Sequence, residues 1–343
     1  PLANNLLKKQ SEDTPLYPLE INFCLDCSNS QLSFVVEPEL LFDEYLYLSS
    51  TSQIFQDHFD ESAEKLIDEL KLTNNSFVID IGSNDGVFLK PLIDSNIDCV
   101  GIEPAKNVCD IANDSGIETI NGYFNKDIVK QLSDNYSNSD LITAFNVFAH
   151  VDDIKEFTMN VFRLLKKDGV FIFEVQYILD TINDLTFDNI YHEHVNYWSV
   201  TSLNYFFNSM DLQLYKIEHI DTHGGSIRGY VRRNNKTKVD KSINTFINKE
   251  KEFGIDKVDT YRDFNEKIKT LKEETIQHLT DLTTNSKKII GYGAPAKATT
   301  LLNYYGIDKE IIDYIVEDNP LKHGYYIPGA NIPIKSKEIL IND

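Results

Sequence analysis

Disulfides, membrane spans and a basic surface are all missing from this sequence. Four cysteines in 343 residues, Cys24, Cys27, Cys99 and Cys109, are too few for a disulfide scaffold. The absence of a long apolar run excludes a spanning helix. Lys and Arg number 33 against 54 Asp and Glu, a formal charge of −21. That excess disfavours nucleic acid and anionic membranes as partners, but not a small nucleotide in a local pocket. No signal-peptide pattern is seen, so the cytoplasm is the default expectation. The rest, 41% hydrophobic and 25% charged, is an ordinary globular mixture with length for two or three domains. Oligomeric state is left open.

What is present is organised around residues 77–86, FVIDIGSNDG. A short apolar run is broken by Gly82, Ser83, Asn84, Asp85 and Gly86 before a periodic segment resumes: strand, tight turn, helix. A strand ending in a glycine turn beside a helix N-terminus opens the usual ligand crevice of an open α/β sheet. The next strand, 99–103, ends in Glu103, whose carboxylate can accept two hydrogen bonds from a ribose diol. The turn lacks the third glycine of GxGxxG, and Asp85 puts negative charge in it. A pyrophosphate resting on the helix N-terminus is therefore disfavoured. A nucleoside with a cationic or neutral end, such as S-adenosylmethionine, suits the turn better, and a nicotinamide oxidoreductase is the weaker alternative.

Residues 1–60 are irregular, punctuated by Pro15, Pro18 and Pro38. Cys24-Leu-Asp-Cys27 has the spacing of half a zinc site, no second CxxC exists, and zinc normally takes four ligands. Cys99 and Cys109 read as packed thiols. A helix is expected over 53–69. Strands near 118–120, 140–146 and 169–175 then alternate with helices, which implies a mostly parallel, doubly wound sheet. Strand ends place Asn146, His150 and Glu174 at the ligand edge.

The densest polar cluster follows. The stretches 191–197, YHEHVNY, and 222–228, THGGSIR, hold three of the chain's eight histidines. General base chemistry is the best single reading, because histidine titrates near neutrality and a carboxylate can orient it. A metal site and a structural hydrogen-bond network are the alternatives. On a strand, Glu193 would point away from both flanking rings. The segment from His223 to Ser226 can present backbone donors to an oxyanion or phosphate, and Arg228 can add charge; turn chemistry with a packed arginine would look the same. Beyond a polar helical stretch, 236–286, a third unit opens with 288–293, KIIGYG, again strand then turn. Tyr292 and Lys297 are its substrate-binding candidates: Lys297, in the first turn of a helix, can hold a phosphate together with backbone N–H groups. A solvated surface lysine is the plain alternative.

Together the motifs PLAN, CLDC, YLYLSSTS, IDIGSNDG, GIEP, NVFAH, IFEV, YHEHVNYWS, THGGSIRGYV, GYGAPAKATTLL and HGYYIPGANIPI resemble those of the sugar C-methyltransferases. These enzymes use S-adenosylmethionine and act on nucleotide-activated 4-keto deoxysugars. The resemblance covers almost the whole chain and implies an α/β protein in three parts. A small zinc-module-like region would occupy 1–60. A class I SAM-dependent methyltransferase domain, Rossmann-like, would occupy 61–235. Connector helices and a C-terminal Rossmann-like nucleotide-sugar-binding domain would occupy 236–343. Cys24 and Cys27 match the second cysteine pair of the zinc module; the first pair, expected before PLAN, is not in the sequence, which leaves structural zinc open. Active-site positions fall on Tyr47, His150, Tyr191, Glu193 and His194, with His194 rather than His192 as the base. Asp80, Gly82, Asn84, Asp85, Gly86 and Glu103 would hold the cofactor, with Asn146 beside it.

The implied chemistry is loss of a proton from C3 beside the ketone, stabilisation of the enolate by Tyr191 and His150, and methylation of that carbon. Glu193 would orient His194 or bind a sugar hydroxyl. Sugar O-methylation is the closer rival, and non-catalytic binding of a sugar nucleotide the more distant one.

Overall fold

Two short strands, β1 (Ile21–Phe23) and β2 (Ser30–Leu32), pair antiparallel on either side of the Cys24–Cys27 turn. The helix Gln53–Leu70 follows. It buries Phe59, Ala63 and Leu66 along one face, the i, i+4, i+7 spacing of an amphipathic helix. This helix runs unbroken across residue 60, the expected domain boundary. The computed structural model describes residues 1–343 except 12, 44, 46, 47, 223, 235–237, 342 and 343.

The central sheet is built from β3 (Phe77–Ile81), β4 (Asp98–Glu103), β5 (Thr119–Asn121), β6 (Ser139–Phe145) and β7 (Leu165–Gln176). After a short β8 (Asn196–Tyr197), which joins the β1–β2 hairpin, come β9 (Leu212–Ile220) and β10 (Ser226–Arg233). The seven strands lie in the order β5-β4-β3-β6-β7-β10-β9. The first five are parallel; β10 runs antiparallel to both of its neighbours. All residues of β3 are buried, as expected where helices cover both faces of a parallel sheet. Strand order reverses between β4 and β6 on either side of β3, and such a switch point leaves a crevice at the carboxyl ends of the strands.

The helices Lys241–Phe253 and Val258–Thr284 lead to the last unit. Its strands β11 (Ile290–Tyr292), β12 (Tyr314–Glu317) and β13 (Ile334–Ser336) are parallel and lie in that order, with the helix Ala296–Tyr305 after β11. The beginning of the chain packs on this unit rather than on the hairpin. Leu7 and Tyr326 exchange backbone hydrogen bonds of 3.0 and 2.8 Å, and Thr299 Oγ1 donates to Ala3 O at 2.9 Å. Leu2 and Ala3 are buried there, which carries Asn4 to the crevice. No helix among the described residues is long and apolar enough to cross a membrane.

Candidate active site

A cavity of about 670 Å³ opens at the carboxyl ends of β3, β4 and β6 and reaches across to the β11 turn. Its first wall is the glycine turn. Gly82 N donates to Ile102 O at 2.8 Å, and Gly82 has φ +68°. A Cβ there would overlap the Val147 side chain, so both backbone conformation and space require glycine. Glu103, at the end of β4, accepts from Asn84 N at 3.0 Å and Ala105 N at 2.8 Å. Asp80, near the end of β3, accepts from Thr143 Oγ1 at 2.6 Å. Burial pushes Asp80 up to about 7 against that hydrogen bond, and the neighbouring Glu103 charge adds to the rise. Burial likewise pushes Glu103 up to about 7 against its two backbone donors.

Asn146 holds a left-handed conformation, φ +58°. Its buried Oδ1 has no hydrogen-bond partner among the described residues. Asn84 and Asp85 are turned differently from the expectation. Asn84 Oδ1 accepts from Ser49 N at 2.8 Å and Asp85 Oδ2 from Ser50 N at 3.2 Å. Asn84 still borders the cavity, whereas Asp85 and Gly86 lie behind it. Asp85 thus anchors the segment that covers the turn, and Glu103 and Asp80 carry the acidity of the wall.

The second wall is the turn bearing Tyr191, Glu193 and His194. It is a turn, not a strand, so the expected alternation of side chains does not hold. Glu193 and His194 both face the cavity, while His192 Nε2 meets Pro18 O at 3.0 Å on the far side. His194 Nδ1 lies 2.7 Å from Asn189 O. A carbonyl can only accept, so Nδ1 carries the proton of the neutral ring and Nε2 carries the lone pair. The carbonyl of Asn189, not Glu193, therefore orients the imidazole. The rings of Tyr191 and His150 stand 4.3 and 5.1 Å from that of His194, and His150 stacks on Phe42 at 5.7 Å.

Glu193 is buried, with Asn4 Nδ2 at 2.6 Å and the Tyr45 hydroxyl at 3.2 Å. Burial pushes it up to about 7, against those two donors and the Lys322 ammonium. Lys322 is itself buried and donates to Ala294 O at 2.8 Å. Burial pushes its pKa down, opposed by the charges of Glu317 and Glu193.

A curated relative decides the family. The C-methyltransferase NovU of Streptomyces niveus is 31% identical over 341 residues, spanning 98% of this chain and 81% of that protein. The chain belongs to the C-methyltransferase family. Two domain families divide it: a methyltransferase domain matches residues 55–217 and a C-methyltransferase C-terminal domain matches residues 221–343. Solved structures align less completely. The PH0226 protein of Pyrococcus horikoshii is 16% identical with a TM-score of 0.43, covering 58% of this chain and 100% of that one. The magnesium protoporphyrin IX methyltransferase of Synechocystis is 11% identical with a TM-score of 0.42, covering 52% and 83%.

This C-methyltransferase is an S-adenosylmethionine-dependent enzyme whose central domain has the class I Rossmann-like fold. Carbon is the methyl acceptor, which sets aside O-methylation and the non-catalytic reading. The residues fit the cofactor: the close approach at Gly82, the Glu103 carboxylate with acceptor capacity beyond its two backbone donors, and the unpartnered Asn146 Oδ1 all border one cavity. Zinc fits less well. Cys24 and Cys27 are free thiols, and among the described residues no group of three or more His, Cys, Asp or Glu is placed to hold a metal.

Several substrate-binding expectations need correction. Arg228 lies in β10 directly opposite Glu174 of β7, and its Nε donates to Glu174 Oε1 at 2.7 Å. Glu174 also meets His58 Nε2 at 3.0 Å, so neither residue reaches the ligand edge. Ser226 donates to Thr222 O at 3.1 Å and is buried in the same strand. Tyr292 is 69% exposed, outside the cavity, and donates to Asp318 Oδ2 at 2.8 Å. Lys297 does border the cavity, 3.9 Å from Asp188 Oδ2. Tyr47 and His223 lie outside the described residues. Asn4, Asn189 and Lys322 were missed, whereas Tyr45 belongs to the aromatic and hydroxyl-rich stretch 44–52, of a composition that can line a sugar or nucleotide pocket, and it borders the cavity. The PLAN and YLYL stretches drew notice as motifs, but nothing local marks Asn4 or Lys322 as neighbours of Glu193.

Proposed function

We propose that this C-methyltransferase methylates C3 of a nucleotide-linked 4-keto deoxysugar, with His194 as the base. The observation that carries this reading is the 2.7 Å contact of His194 Nδ1 with the Asn189 carbonyl, which selects the ring's tautomer. Its Nδ1–H is taken by the Asn189 carbonyl, which leaves Nε2 as the basic nitrogen of a ring that faces the cavity. A carbon acceptor needs such a base, because a C–H bond becomes acidic enough to lose its proton only beside a carbonyl.

In this reading the C3–H bond breaks and its proton passes to His194 Nε2, while the electron pair moves toward the ketone oxygen. Tyr191 and His150, within ring contact of His194, donate hydrogen bonds to that oxygen as its charge grows. Glu193, held by Asn4 and Tyr45, takes a sugar hydroxyl. Glu103, Asp80 and Asn146 hold the cofactor. When bound, S-adenosylmethionine supplies the electrophilic methyl that the C3 carbanion takes. Lys297 and Lys322, on the opposite wall, supply positive charge for a diphosphate, which supports a nucleotide-linked substrate over a free sugar.

The test offers the protein S-adenosylmethionine and a panel of nucleotide 4-keto deoxysugars in deuterated water, with products read by mass. Methylated product should form from one or more of the panel, and solvent deuterium should enter C3 when S-adenosylhomocysteine replaces the donor. His194→Gln should lose both signals by about 10²–10⁴-fold while cofactor affinity stays near wild type. Retained exchange in that variant would assign the base elsewhere.

A further inference from the structure

The last residue of β7, Gln176, borders the cavity and is only 8% exposed. Its Oε1 is buried and has no hydrogen-bond partner among the described residues. The neighbours on every side explain why. Residues two apart on a strand share a face, so Gln176 lies on the face of Glu174, under the helix Gln53–Leu70. That helix brings Phe55 and Phe59 to the cavity, and neither can donate. Across the ladder, Gln176 pairs with Ser226 of β10. Ser226 has one hydroxyl proton, and it goes to Thr222 O at 3.1 Å. On the other side β6 has ended, and the chain passes through Asn146, whose own Oδ1 is unpartnered, to the apolar Val147. A buried acceptor left unserved is a cost to the fold. One that borders a ligand cavity marks where a ligand donates.

Position along the sheet separates the two ligands. Glu103 ends β4, Asp80 and Gly82 belong to β3 and its turn, and Asn146 follows β6. The next strand outward is β7. Neighbouring strands lie about 4.8 Å apart, which sets Gln176 about 10 Å along the sheet edge from the glycine turn. A cofactor held at β4, β3 and β6 leaves the end of β7 to the methyl acceptor. Chemistry narrows the group. A ketone oxygen only accepts, whereas a hydroxyl donates to Oε1 and can accept from the other end of the same amide.

We propose that Gln176 is a specificity-determining residue that takes a hydrogen bond from a ring hydroxyl of the methyl acceptor. This deepens the nucleotide-sugar reading and rests on it: Glu193 takes one hydroxyl from the turn, and Gln176 takes another from the sheet edge. A site built to bond a hydroxyl rejects the analogue that lacks it, because its own buried acceptor stays unserved.

The experiment takes the nucleotide-linked 4-keto-6-deoxyhexose of the panel that turns over fastest and compares it with its 2-deoxy and 3-deoxy counterparts by kcat/KM. The wild type should disfavour one of them by about tenfold or more. Gln176→Met keeps the length and volume of the side chain and removes the amide. In that variant the discrimination should shrink to about twofold or less, while S-adenosylhomocysteine affinity, read by calorimetry, stays within about twofold of wild type. Without ligand, the variant should melt at or above the wild-type temperature, since an unserved acceptor has been removed. A midpoint several degrees lower would mean that the amide serves the fold, and lost S-adenosylhomocysteine affinity would move it to the cofactor; either overturns the proposal. Discrimination that is absent in the wild type, or unchanged in the variant, overturns it too and leaves the nucleotide-sugar reading standing. Failure to methylate any member of the panel removes both.

Discussion

Two glycine turns face each other across one cavity, built on the same backbone frame and dressed with opposite charge. The turn after β3 sits in a seven-stranded sheet, its strand wholly buried, with Asp80 and Glu103 for side chains. The turn after β11 sits in a three-stranded sheet whose first strand is only half-buried, with Lys297 and Lys322 nearby. Each turn has a glycine N–H bonded to the neighbouring strand and a glutamate capped by two backbone donors, so the frame does not choose the ligand; the side chains do. An acidic wall suits a sulfonium nucleoside and a cationic one a diphosphate, and His194 borders the same cavity. The comparison also separates rigidity from charge, because the first turn is pinned by packing and the second is not.

That difference can be broken with the same substitution at both glycines. At Gly82 an added Cβ meets Val147 and must hold φ +68°. Left-handed strain of about 1–2 kcal/mol adds to overpacking of about 1–3 kcal/mol. Gly82→Ala should therefore lose about 3 kcal/mol of stability and most cofactor affinity. At Gly293 the nearest atom would be Pro295 Cδ at 3.7 Å, with φ +85°. Only the backbone term remains, about 1 kcal/mol. Denaturant melts of the two variants check the pair; equal losses would mean that packing does not distinguish the turns.

The division of charge is tested at Lys322. Its ammonium is buried beside the turn, with Glu193 and Glu317 as charged neighbours. Lys322→Met keeps the apolar stem and removes the charge. KM for the nucleotide sugar should rise about tenfold to a hundredfold, the worth of a charge-assisted hydrogen bond. The cofactor Kd should move little. A cofactor defect of the same size would show that the cation serves the first wall instead, and the opposition of charge between the turns would fall.

How far these walls were legible from residues alone follows from locality. The first turn was legible because strand, glycines and acidic strand end lie within one short stretch. Glu193 and His194 were legible as chemistry, yet their facing was not, because the segment is a turn rather than a strand. Arg228 misled for a related reason. It is a polar residue in a strand, and its facing depends on the pairing of β10 with β7, which sets it opposite Glu174. A slip of one residue would have turned it to the other face, and no local pattern states that register. Asn4 and Lys322 reach Glu193 from the two ends of the chain, a meeting that only the packing of the N-terminal segment on the last sheet brings about. The repeat of the β4 glutamate at β12 hides because the helix and loops between the paired strands differ in length.

The smallest effect sharpens the acidic wall. Asp80 and Glu103 are both pushed up to about 7, burial being the main cause. Such raised carboxyls favour the folded state when protonated. Their contribution is complete below the unfolded value near 4 and is lost as pH rises through about 7. For Asp80 alone, passing from pH 6 to 8 costs on the order of 1 kcal/mol of stability. Asp80→Asn cannot titrate there, so the thermal midpoint of the ligand-free wild type should fall by a few degrees relative to the variant over that interval. Cofactor binding should move the other way. A cation stabilises the ionised carboxylates, so S-adenosylmethionine affinity should rise with pH over the same range, more steeply than that of S-adenosylhomocysteine, whose sulfur is neutral. A midpoint difference that stays flat, with both ligands rising in parallel, would mean that the first wall recognises the nucleoside without reading the charge on sulfur, and the contrast between the two turns would then rest on Lys297 and Lys322 alone.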